Sequence, residues 1–172
     1  ALPDEIEIKI RGVPYGIFNA ERFLADLRNL PNVVFRGSYR NPEDLSSMYS
    51  DVDMVWAIDC NDLAGNSKWL LPNSVYEAAY FGVPSIALEG SGVGEYVSTR
   101  AIGWCISEPL EESFIALIGR LPSGEHQRVS ARLRQLGSEP FMEKDEIGEI
   151  WALAQEEAAG RSVHPVPQKG KL

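Results

Sequence analysis

Apolar and polar residues alternate strictly through Glu5-Ile-Glu-Ile-Lys-Ile-Arg11, the period-two pattern of a strand with one buried face. Gly12 and Pro14 end it. Phe23, Leu24, Leu27 and Leu30 then share one face of a helix that Asn19 can cap and Pro31-Asn32 breaks. Val33-Val-Phe35 reads as a short strand that stops at Gly37. Asn41-Pro42-Glu43-Asp44 predicts a helix start: a cap, a proline at the first position, then acids against the dipole. Met54-Val-Trp-Ala-Ile58 is a continuous apolar run between Asp53 and Asp59. Such a run suits a strand covered on both faces, as in a parallel sheet, and places Trp56 in the core, with Trp104 in a later strand.

A polar loop from Asp59 to Asn73 leads into a helix that ends at Gly82, and Pro84 to Leu88 is the next strand. Gly90 to Gly94 makes a turn. A short helix runs from Gly94 to about Arg100, followed by the strand Ile102 to Ile106. Leu110 to Leu121 is an amphipathic helix, and Ser123 to Leu136, rich in arginine, is expected on the surface. Asp145 to Ala159 has helical spacing of Ile147, Ile150, Trp151 and Leu153. Residues 161–172 have little to bury and read as a flexible tail or an arm on a neighbour. Strands alternating with helices give an α/β, doubly wound domain over residues 1–160: a parallel sheet with helices on both faces. Ligands of such sheets bind outside the carboxyl ends of the strands. Arg11-Gly12, Gly37 to Tyr39, Asp59 to Asn73 and Glu89 to Glu95 fall there, and they are glycines, hydroxyls, amides and acids.

Composition narrows the function. The chain has 172 residues, 44% hydrophobic and 24% charged, as expected of one globular domain with a real core. A net charge of -9 argues against non-specific nucleic-acid binding. The apolar runs are strand-length, too short to span a bilayer, and the first residues show no signal-peptide pattern. Cys60 and Cys105 sit in neither a metal-ligand nor a redox spacing, so free thiols in a reducing compartment are expected. His126 and His164 neighbour no second ligand type, so no metal site is expected.

The chemistry concentrates in Leu71-Pro-Asn-Ser-Val-Tyr-Glu77. A helix start presents unbonded amides that favour a phosphate, and Glu77 lies one turn further in, where a carboxylate can accept from a pair of sugar hydroxyls. The alternative is a solvated helix glutamate. Asn73 and Ser74 can cap this helix or offer their amides to phosphate. Lys68, the cation just before the helix, could neutralise a diphosphate or simply be solvated. Tyr39 could stack on a base or pack against the next helix. Gly90-Ser-Gly-Val-Gly94 has the look of a phosphate loop, yet lacks the spacing of the dinucleotide fingerprint. No histidine or Gly-x-Ser-x-Gly turn supports nucleophilic catalysis.

Taken in order, Asn32-Val-Val-Phe-Arg-Gly-Ser-Tyr39, Asp44-Leu-Ser-Ser-Met-Tyr-Ser-Asp-Val-Asp53, Pro72-Asn-Ser-Val-Tyr-Glu-Ala78, Gly82-Val-Pro84, Gly94-Glu95 and Ile102-Gly103 form a series of blocks. Over about residues 5 to 121 the chain resembles the C-terminal, donor-binding domain of a GT-B glycosyltransferase. The resembled type is the retaining group-1 (family 4) transferase, in particular the branch that builds bacterial exopolysaccharides such as succinoglycan. The resemblance implies a Rossmann-like fold and a hexosyltransferase-type enzyme using a UDP- or GDP-sugar donor, with no cofactor and no metal. It implies that Glu77 holds the ribose, that the amides around Asn73 and Ser74 cradle the diphosphate, and that Gly37 to Tyr39 border the base. Gly12 lies at the neighbouring strand end of the same donor site.

Three departures follow. The family often has a second glutamate eight residues before the first, at the sugar; that position is Trp69 here, leaving Asn66 or Lys68 as substitutes. The family's first strand would precede residue 1. So would a whole N-terminal Rossmann-like domain, of roughly 150–200 residues, with the acceptor site and any base. The chain thus reads as a fragment of a two-domain enzyme, inactive alone, in the cytoplasm or peripheral at the inner face of the membrane, where lipid-linked saccharide acceptors are common for the family. The gap between Ile6–Ile10 and Met54–Ile58 would close by direct pairing or be filled by another chain, a homodimer included. The alternative function is a non-catalytic Rossmann-like module for nucleotide sensing or assembly.

Overall fold

A computed structural model of the chain describes residues 2–14, 20–60 and 65–142. The chain divides into two compact units, Ala1–Met142 and Glu143–Leu172. The second, with the helix expected from Asp145 and the expected tail, lies outside the described residues, as does the Asn19 cap.

The first unit is Rossmann-like, with parallel strands flanked by helices. In chain order its elements are β1 (Ile8–Ile10), α1 (Ala20–Leu27), β2 (Val33–Phe35), α2 (Leu45–Ser50), β3 (Val55–Trp56), a 3-10 turn (Asn66–Lys68), α3 (Asn73–Tyr80), β4 (Ser85–Leu88), α4 (Gly92–Arg100), β5 (Gly103–Ile106), α5 (Leu110–Arg120), α6 (Glu125–Leu136) and a 3-10 turn (Glu139–Phe141). β1 pairs with β2, Ile8 opposite Val33. β3, β4 and β5 form a second parallel sheet, with Val55 opposite Ser85 and Ser85 opposite Gly103.

Alternation along β4 explains its apolar sequence. Ala87 faces a core of Val75 and Ala79 from α3, Val93 and Val97 from α4, and Leu133 from α6. Ile86 faces the opposite core with Ile106, Leu117 and the partly buried Phe114. A strand covered on both faces has no polar side. The apolar stripe of α5 (Leu110, Phe114, Leu117) closes that second face. A third cluster, Leu45, Tyr49, Ala78 and Val83, packs α2 against α3. The C-terminal stop of α3 is made by the amides of Gly82 and Val83, which donate to the Ala79 and Ala78 carbonyls.

Several expectations need correction. α6 is not merely a surface helix: Leu133 is 1% exposed and lies in the first core. Trp56 is not core. It is 43% exposed at the edge of its sheet, edge-on to Phe114, with its indole N–H donating to the Ile58 carbonyl. The helix after Asn41 starts later than its cap signal, at Leu45. Residues 41–44 form a turn in which the Asp44 carboxylate accepts from the Arg40 amide (2.8 Å) and guanidinium (2.9 Å). That competing bond takes the acid that would have served the helix start.

No pairing of β1 with β3 occurs among the described residues. In β1, the Ile8 amide donates toward β2 and the Ile10 carbonyl accepts from it, so the backbone of Lys9 faces the other way. In β3, Val55 and Ala57 donate to β4, so the backbone of Trp56 faces away. The Lys9 side chain connects the two parts, donating to the Asp51 carbonyl (2.7 Å) and pairing with its carboxylate (2.9 Å). Direct pairing, one of the two expected closures of the gap, is therefore not what this structure uses.

Candidate functional site

The carboxyl ends of the strands gather the polar loops. Gly12 follows β1 and Gly37 follows β2, both with positive φ (135° and 72°), and the Gly12 amide donates to the Gly37 carbonyl at 2.8 Å. Residues there must turn sharply off the sheet, which glycine does without a Cβ penalty. Tyr39 follows, 39% exposed.

α3 begins on Pro72, whose extended backbone (φ -70°, ψ 147°) occupies the cap position. Neither Asn73 nor Ser74 caps the helix with its side chain, so the expected cap role is corrected. Proline fills the cap position and has no side-chain acceptor to offer. The amides of Asn73 and Ser74 have no partner among the described residues, as the first amides of an uncapped helix do not.

Glu77 stands one turn further along, half-buried. Its Oε2 accepts from the Tyr49 hydroxyl at 2.7 Å, and its Oε1 lies 3.4 Å from Asn41 Nδ2. Tyr49 is 6% exposed, and its ring stacks on Phe81 at 5.3 Å and 12°. Burial first, then the Glu77 hydrogen bond and charge, push the Tyr49 phenol above its usual value of 10, with a smaller contribution from Tyr39. Tyr49 therefore stays a neutral donor. The bond to Arg40 holds the Asp44 carboxyl below its usual range and pins the turn that carries Asn41.

Lys68 ends the 3-10 turn that precedes α3, its Nζ 5.4 Å from the centre of the Trp69 ring. Such an exposed cation–π contact is worth only about 0.5–1 kcal/mol, so the ammonium can leave it. Asn66 opens the same turn. Ser67 within it donates to Asp59 at 2.7 Å. A Cβ at Gly92 would lie 3.2 Å from the Trp69 carbonyl, so this loop also rests on the start of α4. Trp69 itself is 72% exposed.

The glycine-rich segment before α4 has a structural explanation. Ser91 caps the helix, accepting from the Gly94 amide (3.0 Å) and donating to the Leu88 carbonyl (2.7 Å). Gly94 lies against β4, where a Cβ would come within 2.1 Å of the Leu88 oxygen. The glycine serves close packing between helix and strand, which accounts for it without a ligand.

The structure thus brings Glu77 together with Tyr49 and Asn41, and Tyr39 lies near enough to Tyr49 to act on its phenol. Lys68 and Asn66 lie in the loop that leads to the α3 start. Nothing in the sequence singles out Tyr49, and Asn41 carries only a cap signal there. Their separations from Glu77, 28 and 36 residues, leave no local pattern. No group of three or more His, Cys, Asp or Glu gathers among the described residues. None of their helices is long and apolar enough to cross a membrane. An open groove of about 560 Å³ beside α6 lies at the amino end of β5, away from these loops, and its Arg128 is already paired with Glu125.

The chain is 40% identical over 128 residues, 74% of its length, to the succinoglycan biosynthesis protein ExoL of Rhizobium meliloti (strain 1021). It spans 31% of that relative's length. No protein-family model and no solved structure matches the chain.

Proposed function

We propose that this chain is the donor-binding part of a glycosyltransferase that acts in the assembly of a bacterial exopolysaccharide of the succinoglycan type. The observation that carries the reading is Glu77 held one turn inside α3, behind the Asn73 and Ser74 amides, which have no partner among the described residues, in a chain similar to a succinoglycan biosynthesis protein. In this reading a UDP- or GDP-sugar lies across the carboxyl ends of the strands. Its diphosphate meets the Asn73 and Ser74 amides, where the helix dipole favours negative charge. Glu77 accepts from the ribose hydroxyls, and Gly12, Gly37 and Tyr39 border the base. Lys68 turns from Trp69 to the diphosphate and, with the helix start, stabilises the charge that grows on it as the glycosidic bond breaks, without a metal. The acceptor, a lipid-linked saccharide at the inner face of the membrane, and any base meet the donor from a second domain. The edges of β1 and β3, unpaired among the described residues, are covered by another strand in the working protein, a second copy being one source.

The test is calorimetry of the full-length protein with UDP and GDP. Binding is expected for one of them, with a loss of roughly tenfold or more in Glu77→Ala, the usual scale for a hydrogen-bonded carboxylate. Absence of binding by the full-length protein would overturn the reading. One observation favours a second reading, a nucleotide-sensing module without turnover: Trp69 stands, exposed, where the resembled transferases often carry an acid. Donor consumption in the presence of a membrane extract separates the two.

A further inference from the structure

Glu77 is useful to a ligand only if its carboxylate is held still. A glutamate side chain has three torsions, and its terminal torsion is broad and roughly two-fold. Ordering such a chain costs up to about 2 kcal/mol. In this structure the cost is met before any ligand arrives. Tyr49 belongs to a different helix, and its ring is clamped between the stacked Phe81 and the Leu45, Ala78 and Val83 side chains. The hydroxyl at the end of that clamped ring is 2.7 Å from Oε2, a short charge-assisted bond. Oε1 is left facing Asn41, an exposed side chain whose contact at 3.4 Å is too long to be strong.

The two oxygens are therefore unlike. One is tied to the protein interior, and the other is met by a weak donor at the surface, in the turn that continues from Gly37 and Tyr39. We infer that Tyr49 is a positioning residue: its phenol fixes the Glu77 carboxylate so that Oε1 is offered to the vicinal hydroxyls of a ribose, with Asn41 as the placeholder they displace. This rests on the nucleotide-binding reading above. It adds that selection for ribose over deoxyribose at this site depends on a residue that never touches the ligand.

The experiment compares UDP and GDP with their 2′-deoxy counterparts by calorimetry on the full-length protein. Wild type is expected to prefer the ribose form, and Glu77→Gln to lose most of that preference. Tyr49→Phe is expected to weaken ribose-form binding roughly tenfold while changing deoxy-form binding little, because a bond to a charged group is lost only where the carboxylate is used. Asn41→Ala should leave ribose-form binding unchanged or tighter. In the Glu77→Gln background, Tyr49→Phe should add no further ribose-specific loss. Equal weakening of both ligand forms by Tyr49→Phe would show a role in packing and overturn the assignment. If wild type binds no nucleotide, the functional reading itself fails, an outcome distinct from equal weakening of both forms by Tyr49→Phe in a protein that does bind. Should Tyr49→Phe not fold, the stability of Glu77→Ala decides. Without its acceptor the buried Tyr49 hydroxyl is left unpaired, so the urea midpoint is expected to fall, and an unchanged midpoint would overturn the assignment.

Discussion

The segment from Gly90 to Gly94 can be tested as packing with one methyl group. In Gly94→Ala the new Cβ would lie 2.1 Å from the Leu88 oxygen and 3.1 Å from its carbon, when Cβ atoms do not come nearer than about 3.0 Å to other heavy atoms. The obstacle is the backbone of β4, so no side chain can swing aside. The start of α4 must lift by about 0.9 Å to reach that 3.0 Å limit, and it carries the buried Val93 and Val97 with it. The same movement stretches the Ser91 cap, now 3.0 Å from the Gly94 amide. Overpacking of this kind costs about 1–3 kcal/mol, and a lost cap about 1 kcal/mol. Against these, alanine gains about 1 kcal/mol over glycine inside a helix. The net expectation is a loss of roughly 1–3 kcal/mol, read from the urea midpoint at unchanged slope. Gly119 in α5 is the matched control, because a Cβ there meets nothing within 4 Å. Gly119→Ala should therefore stabilise by about 0.5–1 kcal/mol. If Gly94→Ala is as stable as Gly119→Ala, the packing account is wrong and a ligand role for the glycine loop returns.

Two further substitutions probe the cores and the link between the sheets. Leu133→Ala should cost about 2–5 kcal/mol by chemical denaturation, as for a fully buried leucine; a loss below about 1 kcal/mol would mean that α6 is the surface helix its arginines suggest. The Lys9 ammonium, by hydrogen bond and then by charge, holds the Asp51 carboxyl below its usual 3.8. A depressed carboxyl pKa gives stability that is present above the unfolded value and lost as pH falls through the folded one. Wild type should therefore melt above Lys9→Met at about pH 6, and the gap should narrow toward about pH 2. A gap that does not change with pH would assign the effect of Lys9 to packing of its stem.

How much of this was legible in the sequence follows from how local each signal is. The bounds of β4, β5 and α5 are legible to within two residues because burial on both faces or on one stripe is written in their own residues. The exposure of Trp56 is not legible, because it depends on what lies beside β3, and no residue of β3 encodes a neighbouring strand. The α2 start departs from its signal, although Asn41, Pro42 and Asp44 do form one. Arg40 outbid it for the Asp44 carboxylate, and a contest between two local bonds is decided by geometry. Glu77 was visible because helical spacing places it one turn from the α3 start. What makes its two oxygens different was not visible, because Tyr49 reaches it only once α2 packs on α3. A carboxylate can thus be found from periodicity alone, whereas the direction in which it is aimed belongs to the packing between helices.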